Sequence, residues 1–250
     1  MAHSISFNDT DMGAYNLVVV SSGINPISQL VGRVQLQDNG YVFQPVKMPR
    51  RIKTDFVVTG TTRADLDSSL DTIKNTLMLP TDPKKLIFDT FVSRYFNAML
   101  ESLSGEYLSA TRFNGRLIFI CPDPLGYSIS EDSNDHNIDS DPKTIEEVVG
   151  GTGYVNPVYT LEAGEGLDAV TIKLENLTTD EELQWTGSLA NGEVLVVNVA
   201  SWLVTKEGAA DMGTVTGKFP RLVPGATNEI KVTAFAASGS LNITYRDTYL

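Results

Sequence analysis

The stretch RRIKTDFVVTGTTRADLDSSLDTIKNTLMLP, residues 50–80, contains both of the periodicities on which the fold depends. In its first part, Ile52, Thr54, Phe56 and Val58 alternate with their neighbours, so every second side chain faces the same way. This period of two predicts a β-strand with one face towards a core.

The second part of the stretch changes to a helical period. Leu66, Leu70, Ile73 and Leu77 are spaced four, three and four residues apart and form one apolar stripe. Thr62, followed three residues later by Asp65, is typical of a helix N-terminus, and Pro80 cannot continue a helix. The sequence therefore predicts a single helix over about residues 63–79.

Strand signals dominate the rest of the first half. Asn39-Gly40 predicts a tight hairpin turn, because a type I′ turn needs positive φ at both central residues. Asn114-Gly115 is a second signal of this kind, and the run Leu117–Cys121 that follows is apolar on both faces, as in a central strand.

The composition changes between residues 128 and 151. This segment contains seven acidic residues and one lysine, with almost no large apolar side chain before Val148. It predicts a solvated acidic linker between a first domain, residues 1–127, and a second, residues 152–250. Beyond it, short alternating runs such as Val170–Leu174 and Leu241–Tyr245 recur with turns between them, which favours a β-sandwich. The predicted fold class is mainly β, with one helix and an extended hairpin in the first domain.

The charge is divided unevenly. Residues 1–127 carry 12 basic and 12 acidic side chains, whereas residues 128–250 carry 7 and 19, which accounts for the whole net charge of −12. Such an excess of acid argues against a dedicated nucleic-acid binder. The N-terminus lacks the pattern of a signal peptide, and no apolar run reaches the roughly 20 residues of a membrane helix.

Candidate catalytic residues are few. His3 lies near the N-terminus and His136 within the acidic segment, and neither position predicts the rigid setting that a catalytic histidine needs. Cys121, the single cysteine, lies in an apolar run that favours a core role. Composition does not exclude a glycoside hydrolase, which needs only two carboxylates. We nevertheless predict a protein that is not an enzyme, with no catalytic residue, cofactor or metal.

Two features remain as candidate sites. Lys47, Arg50, Arg51 and Lys53 place four positive charges within seven residues. They favour either a solvated loop or, together with Asn39 and Gly40 of the hairpin, an interface with a neighbouring subunit or with passing DNA. In the second half, Trp185 shares a face with Leu183, which favours core packing, and stacking against a sugar ring is the alternative for which Trp185 and Trp202 are the candidates.

The order of several weak motifs resembles the phage distal tail proteins, a Dit-like family of tail-tip hubs. In the first half these are SFNDTDMGAYNLVV, GYVFQPVKMPRRIKTDFVVTG, LDSSLDTIKNTL, RYFNAMLESL and LIFICPDPLGY. In the second half, GKFPRLVPGATNEIKV and LNITYRDTYL are similar to the family's closing hairpin. The resemblance spans essentially the whole chain and rests on order and spacing rather than on one diagnostic motif.

This resemblance implies a structural protein of the virion tail tip, made in the cytoplasm of the host bacterium. Its first domain would form a hexameric ring and its second a galectin-like sandwich. The implied partners are the tail-tube protein, a tail-associated fibre or lysin protein and, in some members, receptor-binding proteins or carbohydrate. The genome would only pass through the lumen. A carbohydrate-binding adhesion module that contacts the host surface is the alternative function.

Overall fold

The computed structural model describes residues 3–24, 31–37, 40–46, 48–91, 93–235 and 238–250, with the backbone alone at 23–24, 31–37 and 40–46. The chain divides into two compact units, each with its own core. The N-terminal unit comprises Met1–Ile129 and Leu250, and the C-terminal unit comprises Ser130–Tyr249.

The N-terminal unit is a β-structure with one described α-helix. Its strands are β1 (Ile5–Phe7), β2 (Thr10–Asp11), β3 (Leu17–Ile24), β4 (Val31–Gln37), β5 (Gly40–Val46), β6 (Arg50–Thr59), β7 (Lys84–Phe88), β8 (Arg94–Ser109), β9 (Arg112–Cys121) and β10 (Gly126–Ser128). Helix α1 covers Arg63–Met78, and two short 3-10 helices cover Met12–Tyr15 and Asp89–Phe91. The main sheet has the order β2-β1-β7-β8-β9-β6-β3, and β10 pairs with β8.

Helix α1 confirms the prediction made from the periodicity. The N-cap Thr62 accepts a hydrogen bond from the backbone N–H of Asp65 at 3.1 Å. The four stripe residues, Leu66, Leu70, Ile73 and Leu77, are all buried in the core of the unit. They share that core with inward side chains of the sheet, which are Phe7, Ile52, Phe56, Val58, Leu117 and Phe119 among others.

The two predicted hairpin turns have different outcomes. Strands β4 and β5 form a two-stranded antiparallel sheet, but its register pairs Gln37 with Gly40, so Gly40 lies within β5 and is not a central residue of the turn, and Asn39 lies outside the described residues. Asn114-Gly115 is not a turn, because both residues lie within β9. A Cβ atom at Gly115 would lie 2.5 Å from the ring of Phe56, its partner on β6. The glycine therefore leaves room for this aromatic ring and does not reverse the chain.

The C-terminal unit is a sandwich of two antiparallel sheets. Its strands are β11 (Asp132–Ile138), β12 (Lys143–Val148), β13 (Val158–Ala163), β14 (Leu167–Asn176), β15 (Glu181–Leu189), β16 (Val194–Asn198), β17 (Leu203–Lys206), β18 (Ala209–Ala210), β19 (Val215–Gly217), β20 (Thr227–Thr233), β21 (Gly239–Tyr245) and β22 (Thr248–Tyr249). One sheet has the order β11-β21-β13-β16-β17-β18, and the other has the order β12-β20-β14-β15-β19. Their inward side chains form one core that includes Tyr159, Trp185 and Phe235.

The predicted acidic linker is wrong, because this segment supplies an edge strand to each sheet. Strand β11 pairs with β21 from Asp132 to Ile138, and β12 pairs with β20 from Lys143 to Val148. Ile138, Ile145 and Val149 are buried, whereas most of the acids point outwards. Charged side chains are common on edge strands, since they oppose unwanted pairing with another sheet. The polar composition thus reflects a position at the sheet edge.

The mainly β fold class predicted from the sequence is confirmed. No helix within the described residues combines the length and the apolar character needed to cross a membrane.

Candidate functional site

Three members of the basic cluster, Arg50, Arg51 and Lys53, are divided between the two faces of β6. Arg50 is buried, with its guanidinium carbon 5.5 Å from the centre of the Phe96 ring. Burial lowers the pKa of Arg50, and its Nε atom has no hydrogen-bond partner. The prediction that Arg50 lies at an interface is therefore wrong. Successive side chains of a strand alternate between its two faces, so Arg50 points inwards whereas Arg51 and Lys53 point outwards.

The outward members of the cluster are exposed. Arg51 forms a bidentate ion pair with Glu101 of β8, with Nε to Oε2 and Nη2 to Oε1 both at 2.8 Å. The hydrogen bonds from Arg51 lower the pKa of Glu101. On the same strand, Asp55 accepts a hydrogen bond at 2.6 Å from Nε of Arg116 on β9. Much of the positive charge on this face is therefore balanced within the unit.

Lys47 and Asn39 lie outside the described residues, and Gly40 is described as the first residue of β5. Arg51 and Lys53 thus remain the candidates whose exposure the structure describes.

The two tryptophans have opposite environments. Trp185 is only 1% exposed and donates from Nε1 to Oδ2 of Asp211 at 3.0 Å. Its ring faces lie within the core, so the prediction that it stacks against a sugar is wrong. The alternation it shares with Leu183 is that of inward-facing residues in β15.

Trp202 is 72% exposed and lies in the turn between β16 and β17. Its φ of 56° is in the left-handed region, which is uncommon for an aromatic residue. The ring lies beside Phe219, with the ring centres 5.8 Å apart. Both rings line a groove of about 320 Å³. This location is compatible with the predicted stacking role.

The same groove contains an ion pair that the sequence did not predict. Glu181 accepts from the backbone N–H of Arg221 at 2.9 Å and from its Nε at 3.1 Å. Burial acts to raise the pKa of Glu181, but the hydrogen bonds and charge of Arg221 outweigh it and hold the pKa below its ordinary value. The two residues are 40 positions apart, and only the pairing of distant strands brings them together.

The residues considered for catalysis are held by structural contacts. His136 lies on β11, and its Nε2 is 2.6 Å from Oε1 of the buried Glu147. The backbone carbonyl of His3 accepts from Val19 at 2.7 Å. Burial raises the pKa of the Cys121 thiol to about 11, which leaves little reactive thiolate at neutral pH. Within the described residues, no three His, Cys, Asp or Glu side chains gather as potential metal ligands.

Most of the C-terminal sandwich matches a known protein family. Residues 150–249 match the family model described as the siphovirus-type tail component, C-terminal domain. The resemblance to Dit-like distal tail proteins and the virion location that it implies are confirmed. The match begins after the end of β12, so it covers the sandwich without its edge strands β11 and β12.

The fold of the whole chain is similar to that of the Dit protein of phage SPP1. The match has a TM-score of 0.78 at 17% identity and covers 100% of both chains. Two structures of the phage p2 baseplate in its activated conformation, with Ca and with Sr, match at a TM-score of 0.43. They have 8% and 9% identity, and each match covers 97% of both chains. No curated protein matches the chain in sequence.

Proposed function

We propose that this chain is a ring-forming hub at the tail tip of a long-tailed bacteriophage and not an enzyme. The match of residues 150–249 to a siphovirus-type tail component domain carries this proposal. The fold supports it, because the SPP1 protein of similar fold is described as a paradigm of the hub adsorption apparatus in phages that infect Gram-positive bacteria.

The ring is assigned to residues 1–127, with six copies as its stoichiometry. This part of the chain has equal numbers of acidic and basic side chains, so like subunits pack without cumulative repulsion. The hairpin of β4 and β5 is a two-stranded sheet, and such a hairpin is at best marginally stable alone in water. Packing against a neighbouring subunit in the ring would stabilise it.

The partners of the ring are the tail-tube protein on one side and a fibre or lysin protein on the other, with receptor-binding proteins as further candidates. Arg51 and Lys53 are proposed to contact one of these partners. The pairs Arg51–Glu101 and Asp55–Arg116 reduce the positive potential that would hold DNA phosphates, which favours docking over retention of the genome.

Co-sedimentation with the tail-tube protein and with the fibre or lysin protein tests this assignment at low and moderate salt. Replacing both Arg51 and Lys53 by alanine is expected to weaken docking to one partner and to leave the ring intact. Lys173→Ala, which removes a half-buried lysine of the C-terminal unit that pairs with Glu182, is the control. Unchanged docking of the double variant to both partners contradicts the proposed interface.

A further inference from the structure

An aromatic groove in the C-terminal unit has the features of a ligand site. Trp202 and Phe219 form one wall, and Asn156, Glu181, Lys218 and Arg221 also line it. From this combination we propose that the groove binds an uncharged pyranose residue of a surface polysaccharide. The proposal goes beyond the hub function and does not depend on it.

The aromatic wall accounts for half of the recognition. The axial C–H groups of a pyranose form an apolar face, and the π-face of an aromatic ring offers them a flat, electron-rich partner. At 72% exposure, Trp202 presents such a face to solvent in the free chain. An exposed tryptophan held at positive φ is a local cost to folding, and residues of this kind are concentrated at ligand clamps.

The polar wall accounts for the other half. A guanidinium carries five N–H donors, more than one bidentate carboxylate accepts, so Arg221 can pair with Glu181 and still donate to a hydroxyl. The pair also fixes the orientation of Arg221, whose guanidinium carbon lies 4.7 Å from the centre of the Tyr154 ring. The amide of Asn156 adds a donor and an acceptor. Vicinal hydroxyl groups need such neighbouring donors and acceptors.

Size and charge select the occupant. A groove of about 320 Å³ is at the small end of ligand sites, which fits one or two sugar rings better than a protein surface. Residues 128–250 carry a net charge of −12, which opposes the approach of polyanions such as phosphate-rich wall polymers. Neutral sugars are not repelled by this charge.

The test uses the full-length chain and neutral di- to tetrasaccharides built from glucose, galactose, rhamnose or N-acetylglucosamine. Saturation-transfer NMR at millimolar sugar detects binding, and calorimetry gives the affinity. We expect at least one neutral sugar to bind, and Trp202→Ala to lower its affinity by about tenfold or more, the scale of a lost aromatic stacking contact. The sugar should also protect Trp202 of the wild type from acrylamide quenching, because Trp185, the other tryptophan, is buried.

Val148→Ala, which removes an exposed apolar side chain outside the groove, is the matched control and should bind as the wild type does. Circular dichroism and sedimentation verify that each variant keeps its fold and oligomeric state, so loss of sugar binding is distinguished from loss of the hub. Three outcomes overturn the proposal. These are the absence of binding by every neutral sugar, binding that Trp202→Ala leaves unchanged, and docking of a tail protein that depends on Trp202 without any sugar binding.

Discussion

Nε2 of His136 lies 2.6 Å from Oε1 of Glu147, and Nδ2 of Asn134 donates to the other carboxylate oxygen at 3.0 Å. His136 belongs to β11 at the edge of one sheet, and Glu147 belongs to β12 at the edge of the other. The contact therefore joins the two sheets of the sandwich along one edge. Residues 128–151, whose composition is that of a linker, thus connect the two sheets at the edge of the sandwich.

This contact predicts that Glu147→Ala destabilises the C-terminal unit by about 1–3 kcal/mol, because two partly buried donors lose their acceptor. Urea unfolding followed by tryptophan fluorescence measures the effect, since both tryptophans belong to this unit. The exposed neighbour Glu146→Ala is the control and should change stability by less than about 0.5 kcal/mol. Equal effects of the two substitutions would show that the contact contributes nothing.

Strands β11 and β12 should also be protected from hydrogen exchange. Their ladders with β21 and β20 span residues 132–138 and 143–148, and in these edge strands alternate backbone N–H groups donate to the neighbouring strand. We expect peptides from this segment to exchange orders of magnitude more slowly than in the urea-unfolded chain. Exchange at the unfolded rate, measured by mass spectrometry, would restore the interpretation of the segment as a linker.

The two tryptophans should respond differently to truncation. Trp185→Ala removes a buried ring and its hydrogen bond to Asp211, and is expected to cost about 3–5 kcal/mol. Trp202→Ala removes a mostly exposed ring and should change the unfolding free energy by less than about 0.5 kcal/mol. Urea unfolding followed by circular dichroism compares them. A large cost at Trp202 would mean that its role is structural.

Acid should weaken the pair of Glu181 and Arg221. The folded-state pKa of Glu181 is below its ordinary value of 4.5, so the carboxylate contributes stability above that value. This contribution is lost as the pH falls through the lowered pKa. Glu181→Gln should therefore be less stable than the wild type at pH near 7, and the difference should shrink under acidic conditions. A stability difference that is constant with pH would contradict this account.

Much of the N-terminal unit follows from local patterns in its sequence. The stripe of α1 and the alternation of β6 are periodic signals set by short-range geometry, and both elements form as predicted. Alternation also explains the error at Arg50, because the three basic residues of β6, which are close in sequence, are divided between the two faces of the strand. Gly115 could not be interpreted from its local sequence either, since the Phe56 ring that requires a glycine there belongs to another strand.

The candidate groove illustrates why sites assembled from distant residues are hard to predict. Trp202 could be named as a candidate stacking residue from its residue type alone, whereas its exposure depends on a turn in which its φ is positive. Glu181 and Arg221 meet only because separate strands of the sandwich converge. The buried partner of His136 was not predicted for a similar reason, since six of the seven acidic residues in 128–151 are exposed and composition does not distinguish Glu147, which is buried.

Negative-stain electron microscopy of the purified full-length chain, with the mass measured by sedimentation, tests the proposed ring. We expect closed rings with sixfold symmetry and a mass six times 27.2 kDa. A homogeneous, folded monomer of 27.2 kDa at micromolar concentration, with no rings in the images, would contradict it.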